Sequence, residues 1–365
     1  MLYNFYEMPA FPCTTDMWDK LKSENRPIVV YGMGNGADKL IRRFQKYGIE
    51  IADFFASDGF ARGNLFHGFK VKPFSEIKET YSDFVIVLSF ASNKPDVLDM
   101  LFDMSEKYDM YVPDMPVADE EEYFDREFFN THYDELIKAR DNLADEESKR
   151  LFCAIVNYKL SGRAEYLFGA YSTKEELYGI LPCDKISSFV DVGAYRGDTV
   201  EDAVKYFPSL ENIIALEPDT KNFKKLSDYA GILPYNCVLH NVAAWCEDTD
   251  GVFNGSGNRN STVSATASYE HKVASVAMRK IDTLINSKVD FIKYDVEGAE
   301  LEALVGSNDT IKKYTPSLLV SLYHRSRDIF SLTNMIKEKY GFYKLYLRRL
   351  LCLPAWEIAL LAIPE

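Results

Sequence analysis

The feature that most constrains the fold is an alternation of strand-like and helix-like segments from residue 186 to the end of the chain. Short apolar, β-branched runs recur there, and segments with helical spacing fill most of the gaps. The last two predicted strands leave no room for a helix, so an α/β fold with a parallel sheet that ends in a hairpin is expected. The predicted strands are Ser188–Val192, Asn212–Leu216, Asn236–Asn241, Val289–Tyr294, Ser317–Leu322, Tyr343–Leu347 and Trp356–Ile363.

A shorter alternation begins near the N-terminus. An apolar run over 27–31 is followed by a glycine-rich turn, a helical pattern that ends at Gly48, and further predicted strands over 49–57 and 84–89. Strand, helix and strand in units of this length predict a second, smaller Rossmann-like α/β domain over 1–118.

The turn of this N-terminal unit has two interpretations. Its small residues are Gly32, Gly34 and Ala37, and Asp53 and Asp58 stand near the end of the next predicted strand. A nucleotide site fits this pattern. Close packing of a strand against a helix requires the same small residues, so both alternatives stay open.

The segment between the two alternations is strongly acidic. Residues 119–150 contain 12 acidic and 5 basic residues, which accounts for half of the net charge of −14. Helical spacing persists through this segment, and Ser172 and Glu175 are spaced as a capping box. We therefore predict an acidic helical connector over 119–185 that leads into an α/β domain over 186–365.

Composition excludes several classes of partner. An acidic chain of 365 residues is a poor binder of nucleic acid or of anionic membranes, because phosphate contacts are made mainly by Lys and Arg. The six cysteines form no CxxC pair, so reduced thiols are expected. We recognise neither a signal peptide nor an apolar stretch that could span a bilayer. A cytoplasmic protein with no nucleic-acid partner and no membrane span is predicted.

The most specific motif is the run from Asp191 to Thr199, Asp-Val-Gly-Ala-Tyr-Arg-Gly-Asp-Thr, which follows a predicted strand and opens a helix. Its glycines permit a tight turn close to a ligand, and Asp198 or Thr199 is expected to cap the helix. Glu217 ends the next predicted strand, where a carboxylate accepts both hydroxyl hydrogens of an adenosine ribose. Asp191 precedes the first glycine, and its carboxylate would repel a phosphate and attract an amino group. An amino-bearing nucleoside is therefore favoured over a pyrophosphate as the ligand. The alternative is a plain strand-to-helix turn and a surface acid.

Taken together, the motifs of the C-terminal region resemble the FkbM family of methyltransferases. The segments that carry the resemblance are Asp191–Thr199, Glu217–Asp219, Asn241–Ala244, Ile292–Glu300, Tyr323–His324 and Tyr346–Arg348. The run Asp-Val-Glu-Gly-Ala-Glu from Asp295 is the most specific of them. One departure is Arg348-Arg349, where Arg-His is more usual in the family, so an acceptor contact at that position would differ.

The resemblance implies a class I, seven-stranded methyltransferase domain. It also implies S-adenosylmethionine as cofactor and methyl transfer to oxygen, often to the hydroxyl of a sugar or natural product. Asn241 and Ala243 would lie near the adenine. The residues that it assigns to cofactor binding are Asp191, Gly193, Ala194, Gly197, Glu217, Asn241 and Ala243.

Three further residues are predicted to carry the chemistry. Asp295 and Glu297 follow one predicted strand and His324 ends the next, so they are expected at one edge of the parallel sheet. We expect His324 or Asp295 to take the acceptor proton and Glu297 to orient the acceptor or fix the imidazole. Glu300 is expected to begin the following helix. The alternatives are a structural His324 and a divalent metal bound by the three residues. A polar loop over 255–261 is expected to cover the cofactor or to be an ordinary connection.

The sequence thus predicts an S-adenosylmethionine-dependent O-methyltransferase. Its acceptor would be a sugar, a glycan precursor or a natural product, nucleotide-linked if the N-terminal domain binds a nucleotide. A homodimer is an alternative for the assembly. Two rival functions are a non-catalytic scaffold that binds S-adenosylmethionine or a nucleotide in a glycan-modifying pathway, and an oxidoreductase that binds NAD at the N-terminal turn. The acceptor's identity and the dependence on metal are left open.

Overall fold

The computed structural model describes residues 11, 13, 15–118, 122–254, 262–264 and 273–365. The loop over 255–261, and with it the predicted cover of the cofactor, lies outside the described residues. Among the helices of the described ranges, none combines the length and the apolar character needed to cross a membrane.

The N-terminal region contains a five-stranded parallel sheet. Its elements are α1 (Met17–Lys22), β1 (Ile28–Tyr31), α2 (Asn35–Tyr47), β2 (Asp53–Ala56), β3 (Leu65–Phe66), β4 (Phe69–Lys70), β5 (Lys72–Pro73), α3 (Phe74–Thr80), β6 (Val85–Leu88), α4 (Pro95–Lys107) and β7 (Asp109–Tyr111). The strand order is β5-β2-β1-β6-β7 with all neighbours parallel, while β3 and β4 form a separate hairpin. Strands β1, β2 and β6 are buried along their whole length, as parallel strands covered on both faces are.

Helices occupy the acidic middle region. They are α5 (Arg126–Thr131), α6 (Tyr133–Asp141), α7 (Glu146–Ser161) and α8 (Lys174–Tyr178), with 3-10 turns at Ala164–Leu167 and Cys183–Lys185. The capping box of α8 is formed by Thr173 and Glu176, whose side chains each accept the other's backbone N–H at 3.1 and 2.7 Å. The predicted pair Ser172 and Glu175 is therefore wrong by one residue. The N–H of Ser172 instead donates to the carbonyl of Arg349 at 2.7 Å, a contact between distant segments.

The C-terminal region is a longer alternation of strands and helices. Its elements are β8 (Ser188–Val192), α9 (Asp198–Tyr206), β9 (Asn212–Leu216), α10 (Thr220–Ala230), β10 (Asn236–His240), β11 (Ala243–Ala244), β12 (Thr249–Asn254), β13 (Thr262–Ser264), β14 (Val273–Arg279), α11 (Ile281–Leu284), β15 (Phe291–Tyr294), α12 (Glu300–Val305), α13 (Asn308–Tyr314), β16 (Ser317–Ser321), α14 (Asp328–Lys339), β17 (Tyr343–Arg349) and β18 (Ile358–Pro364).

Seven of these strands form one sheet in the order β10-β9-β8-β15-β16-β18-β17. The first five are parallel, and β18 lies antiparallel between β16 and β17. The α/β fold and the terminal hairpin are confirmed. A four-stranded sheet, β11-β14-β12-β13, is an addition that the sequence did not predict, because the run Thr249–Asn254 is largely polar.

A single hydrophobic core connects the two large sheets. It includes Tyr31 of β1, Phe152 of α7 and Val190 of β8, all of them buried. Because this core crosses residues 118 and 185, the division into 1–118, 119–185 and 186–365 stays a prediction.

Backbone hydrogen bonds also join the N-terminal and C-terminal regions. Ser92, after β6, and Leu353, between β17 and β18, exchange two N–H···O bonds of 2.8 and 2.9 Å. The N–H groups of Val117 and Ala118 donate to the carbonyl of His324 at 3.0 and 2.9 Å. The N-terminal region therefore packs beside the carboxyl ends of β16 and its neighbours.

Candidate functional site

A cavity opens at the carboxyl ends of β8, β9, β10, β15 and β16, where ligands bind in open α/β sheets. Its volume is about 1700 Å³, including space open to solvent. Five of the predicted site residues line it: Gly193, Glu217, Ala243, Asp295 and Glu297. The other five do not: Asp191, Ala194, Gly197, Asn241 and His324. Of the five residues that do not line the cavity, Asn241 is exposed and the other four are buried behind the cavity wall.

The turn after β8 is held by the neighbouring strand. The N–H groups of Gly193 and Ala194 both donate to the carbonyl of Leu216, at 3.0 and 2.9 Å. Gly193 has a φ of 91°, and a Cβ there would lie 1.9 Å from the carbonyl oxygen of Asp295. From the sequence we attribute this glycine to the approach of a ligand. The structure shows that a residue without a Cβ is needed at this position in any case, because the backbone that follows β15 packs against it.

Helix α9 points its N-terminus at the cavity. Gly197 occupies the N-cap position, and no side chain caps the helix. The prediction that Asp198 or Thr199 is the cap is wrong, because both lie inside the first turn, where they line the cavity. The first N–H groups of a helix lack partners within it and favour electron-rich ligand atoms.

Glu217 presents a buried carboxylate at the end of β9. Its Oε2 accepts the N–H of Tyr195 and its Oε1 the N–H of Asp219, each at 2.8 Å. Burial raises the pKa of Glu217 to about 7, and the carboxylates of Asp219 and Asp191 add to the rise against the two backbone hydrogen bonds. Each carboxylate oxygen keeps a free lone pair, so a ligand with two adjacent hydroxyls has two fixed acceptors.

Asn241 and Ala243 follow β10 and play different parts. The Asn241 side chain donates to the carbonyls of Glu217 and Pro218 at 2.8 and 3.2 Å, which joins the ends of β9 and β10. Ala243 lines the cavity between Val242 and Ala244. This short apolar strip suits the flat face of a nucleobase.

A buried lysine, which we did not predict, links Asp191 to Asp295. Lys293 Nζ lies 3.5 Å from Asp191 Oδ1 and 3.3 Å from Asp295 Oδ2. Burial opposes its charge, yet these two carboxylates hold the pKa of Lys293 above its usual range. Burial raises the pKa of Asp191 to about 6, with Lys293 opposing the rise. Among the described residues, neither oxygen of Asp191 has a hydrogen-bond partner.

Asp295 carries an ionised carboxylate at the cavity wall. The hydroxyl of Tyr323 donates to its Oδ1 at 3.2 Å. Burial works against ionisation, but the cations of Lys293 and His324 and a hydrogen bond from Ser321 lower the pKa of Asp295. The Asp295 side chain keeps 28% of its surface exposed, so a ligand can reach it.

The imidazole of His324 is completely buried among three carboxylates. Its Nδ1 lies 2.9 Å from Glu300 Oε1, and its Nε2 lies 3.4 Å from Glu297 Oε2 and 3.6 Å from Asp295 Oδ1. Burial alone would lower its pKa, but the carboxylates outweigh burial and raise the pKa of His324 to about 10. A protonated, enclosed imidazole is not a base, so of the two candidate bases the geometry favours Asp295.

Glu300 is the second residue of the site that sequence reasoning missed. It begins α12 as expected, but it is also buried, and its Oε1 accepts the N–H of Val296 at 2.9 Å as well as contacting His324. The signal for Lys293 was its charge at the centre of the apolar strand Phe291–Tyr294. For Glu300 no local signal exists, because its partner lies 24 residues away.

Arg348 and Arg349, where the sequence departs from the family pattern, do not line the cavity. Arg348 donates to Ser148 Oγ and Asp145 Oδ2, both at 2.8 Å, and Arg349 donates to the carbonyl of Ala170 at 2.8 Å. Burial lowers the pKa of Arg349 to about 10. Both arginines tie β17 to the middle helices, so this departure does not alter a contact in the cavity.

A second cavity, of about 970 Å³ including open space, lies at the carboxyl ends of β1, β6 and β7. Met33 and Asn35 of the glycine-rich turn line it, and Trp356 closes it from the connection between β17 and β18. The same connection also lines the first cavity, through Leu351 and Glu357. Asn93 of the N-terminal region lines the first cavity as well. One connection therefore separates the two cavities.

The two acids predicted near the N-terminal turn lie elsewhere. Asp53 is the first residue of β2 and binds Lys72 and Tyr81 at 2.8 and 2.6 Å. Asp58 accepts the N–H of Ser75 at 2.9 Å. Neither lines the second cavity: Asp53 lies at the start of β2, and Asp58, which follows its end, is turned to Ser75.

Solved structures share this architecture. The crystal structure of methyltransferase FkbM from Methylobacillus flagellatus KT is similar over 97% of this chain and 95% of that one, with a TM-score of 0.73 and 20% identity. Aeropyrum pernix fibrillarin, solved with natively bound S-adenosyl-L-methionine, aligns over 50% of this chain and 69% of its own, with a TM-score of 0.33 and 12% identity, too weak to carry an argument. A search of curated protein sequences found no match.

The family comparison concerns the C-terminal region. Residues 191–349 match the family model of the methyltransferase FkbM domain. This range contains the glycine turn, Glu217 and the run from Asp295 to Glu300, which form the cavity described above. The match supports a methyltransferase activity, and the seven-stranded sheet is that of a class I methyltransferase. Residues 191–349 are therefore similar to the methyltransferases of the FkbM family.

Proposed function

We propose that the protein transfers a methyl group from S-adenosylmethionine to a hydroxyl group of a sugar, a glycan precursor or another hydroxylated small molecule. The observation that carries the proposal is the placement of two carboxylates in one cavity. Glu217 ends β9 and Asp295 ends β15, on either side of the glycine turn after β8. This arrangement supports a binding site in which Glu217 accepts hydrogen bonds from the ribose and Asp295 is the candidate base.

The chain's own residues fit the cofactor at three positions. Glu217 accepts hydrogen bonds from the two ribose hydroxyls, and the apolar strip at Ala243 covers the adenine. Asp191, whose buried oxygens have no hydrogen-bond partner among the described residues, supplies negative charge beside the amino-acid part. When bound, S-adenosylmethionine supplies an electrophilic methyl group on a positively charged sulfur.

In this proposal Asp295 takes the proton of the acceptor hydroxyl as the oxygen–methyl bond forms and the methyl–sulfur bond breaks, with the bonding electron pair staying on the sulfur. Lys293 and Tyr323 hold its carboxylate in place. Alignment of the two reactants by the cavity supplies the larger part of the acceleration, up to about 7–11 kcal/mol in favourable cases. A positioned base adds about 10²–10⁴-fold. Glu297 orients the acceptor, and His324 positions both carboxylates.

A nucleotide-linked acceptor has less support than a free one. The N-terminal cavity has no carboxylate of the kind that a ribose site needs at the end of β2, since Asp58 accepts the N–H of Ser75 and does not line this cavity, and Asp53 lies at the start of the strand. Asn93 of the N-terminal region lines the main cavity. We therefore propose that this region helps to select the molecule that accepts the methyl group.

The test is incubation of the full chain with acceptor pools and S-adenosylmethionine labelled in its methyl group, followed by mass spectrometry. We expect the label in a hydroxylated product. The Asp295→Asn variant should lose about 10²–10⁴-fold in rate while the cofactor still raises its melting temperature. Asp53→Asn, a change outside the cavity, is the matched control. Stabilisation by the cofactor without any transfer would identify a binding scaffold, and the absence of both would overturn the proposal.

A further inference from the structure

We infer that His324, Asp295 and Glu297 form a binding site for one divalent metal ion at the floor of the main cavity. Asp295 Oδ1 and Glu297 Oε2 each lie within 3.6 Å of His324 Nε2. Imidazole nitrogen and carboxylate oxygen are ligands shared by several divalent ions, Mn²⁺ among them.

The imidazole nitrogen is the observation that separates this cluster from an ordinary acidic patch. His324 has no exposed surface, and within the described ranges its Nε2 has no hydrogen-bond partner. Its nearest polar atoms are the carboxylate oxygens of Glu297 and Asp295, at 3.4 and 3.6 Å, so it lies at the gap between the two carboxylates. A divalent cation in that gap would displace the Nε2 proton to solvent and be bound by all three groups.

The other imidazole nitrogen is held in the manner of a metal ligand. Glu300 Oε1 lies 2.9 Å from His324 Nδ1 and also accepts the N–H of Val296 at 2.9 Å. Metal-bound histidines commonly donate their second N–H to a carboxylate, which fixes the ring and strengthens the ligand. Glu300 is thus a positioning residue behind the ligands.

The site also has an open side. Asp295 and Glu297 line the cavity, with 28% and 26% of their side-chain surfaces exposed, whereas His324 and Glu300 lie beneath them. An ion here offers its remaining positions to oxygen ligands in the cavity. The ligand class that this chemistry selects is a molecule with two neighbouring hydroxyl groups. This part of the inference rests on the proposed function, whereas ion binding itself does not.

Binding of Mn²⁺ to the full chain, followed by electron paramagnetic resonance without cofactor or acceptor, tests the site. We expect one ion per chain, with ¹⁴N modulation from an imidazole in the pulsed spectrum. Glu297→Gln should weaken binding at least tenfold, and Glu300→Gln about 10–100-fold. Glu357→Gln, which changes a cavity carboxylate outside the cluster, should leave Mn²⁺ affinity unchanged.

His324→Gln should abolish the ¹⁴N modulation, but its buried position makes a folding defect a competing result. Glu297→Gln changes a partly exposed side chain and keeps the inference testable in that case. Absence of Mn²⁺ binding, or binding that Glu297→Gln leaves intact, would overturn the metal site. Thermal stabilisation by S-adenosylmethionine, measured on the same samples, shows separately whether the cofactor proposal holds.

Discussion

The chain contains two turns of the same design, one after β1 and one after β8. Both follow a buried parallel strand and lead directly into a helix. In both, a glycine makes room for a backbone carbonyl: a Cβ on Gly36 would lie 2.0 Å from the oxygen of Ser89, and a Cβ on Gly193 would lie 1.9 Å from that of Asp295. Gly36 and Gly193 are therefore explained by packing.

What differs is the side chain at the end of the next strand. After β8, the neighbouring β9 is followed at once by Glu217, which faces the cavity with two fixed oxygens. After β1, the neighbouring β2 carries its acid at the start, where Asp53 pairs with Lys72. A glycine turn alone thus indicates how a strand meets a helix, and the acid at the strand end decides whether a nucleoside site is present.

The largest expected effect concerns the packing that the turns share. Gly193→Ala adds a collision with backbone and a left-handed conformation, so we expect a loss of about 3–5 kcal/mol in the free energy of unfolding. Gly36→Ala adds the collision alone and should cost about 1–3 kcal/mol. Urea unfolding of both variants measures the two losses. Equal stability of Gly193→Ala and the parent chain would refute the packing explanation.

Next in size is the loss of the acid that distinguishes the turns. Glu217→Gln removes an acceptor for the ribose hydroxyls, and at about 1.5–3 kcal/mol per charged hydrogen bond we expect S-adenosylmethionine affinity to fall roughly 100-fold. Calorimetric titration measures the change. Asp53→Asn also replaces a carboxylate by an amide, but in β2, and it should leave the affinity for S-adenosylmethionine unaltered. A comparable loss in both variants would show that Glu217 acts only through stability.

A smaller effect is expected from pH. Since burial raises the pKa of Glu217 to about 7, the carboxylate becomes protonated as the pH falls through 7 and loses an acceptor. Cofactor affinity should therefore weaken toward acid, by at most about tenfold per pH unit when only the ionised form binds. Titrations between pH 6 and 8 measure this slope. In Glu217→Gln the slope near pH 7 should vanish and leave only the weakening near pH 6 that protonation of Asp191 causes; a slope near pH 7 that persists would belong to another group.

The smallest expected effect is at the N-terminal turn. Without a strand-end carboxylate, the second cavity offers a ribose no fixed pair of acceptors, so adenosine should bind only to the main cavity. We expect adenosine to stabilise the parent chain and to leave the melting temperature of Glu217→Gln unchanged. Residual stabilisation of that variant, removed by a bulky substitution at Asn35, would place a nucleoside site after β1.

Patterns of near neighbours predicted much of this molecule. The alternation of strands and helices, the terminal hairpin and the turn from Gly193 to Gly197 all depend on residues a few positions apart, and each is present in the structure. The capping box was placed one residue early because Ser172 and Thr173 both satisfy its pattern. Only the pairing of Ser172 with Arg349 distinguishes them.

The sequence by itself determined the α/β class, the order of its elements and the residues that end each strand, because hydrophobic period and turn chemistry are local properties. The tertiary structure decided what those residues do. The register of β8 against β15 places Lys293 opposite Asp191, and burial encloses His324 among carboxylates. Charge and protonation depend on neighbours brought together from distant segments and on the exclusion of water, which no local pattern records.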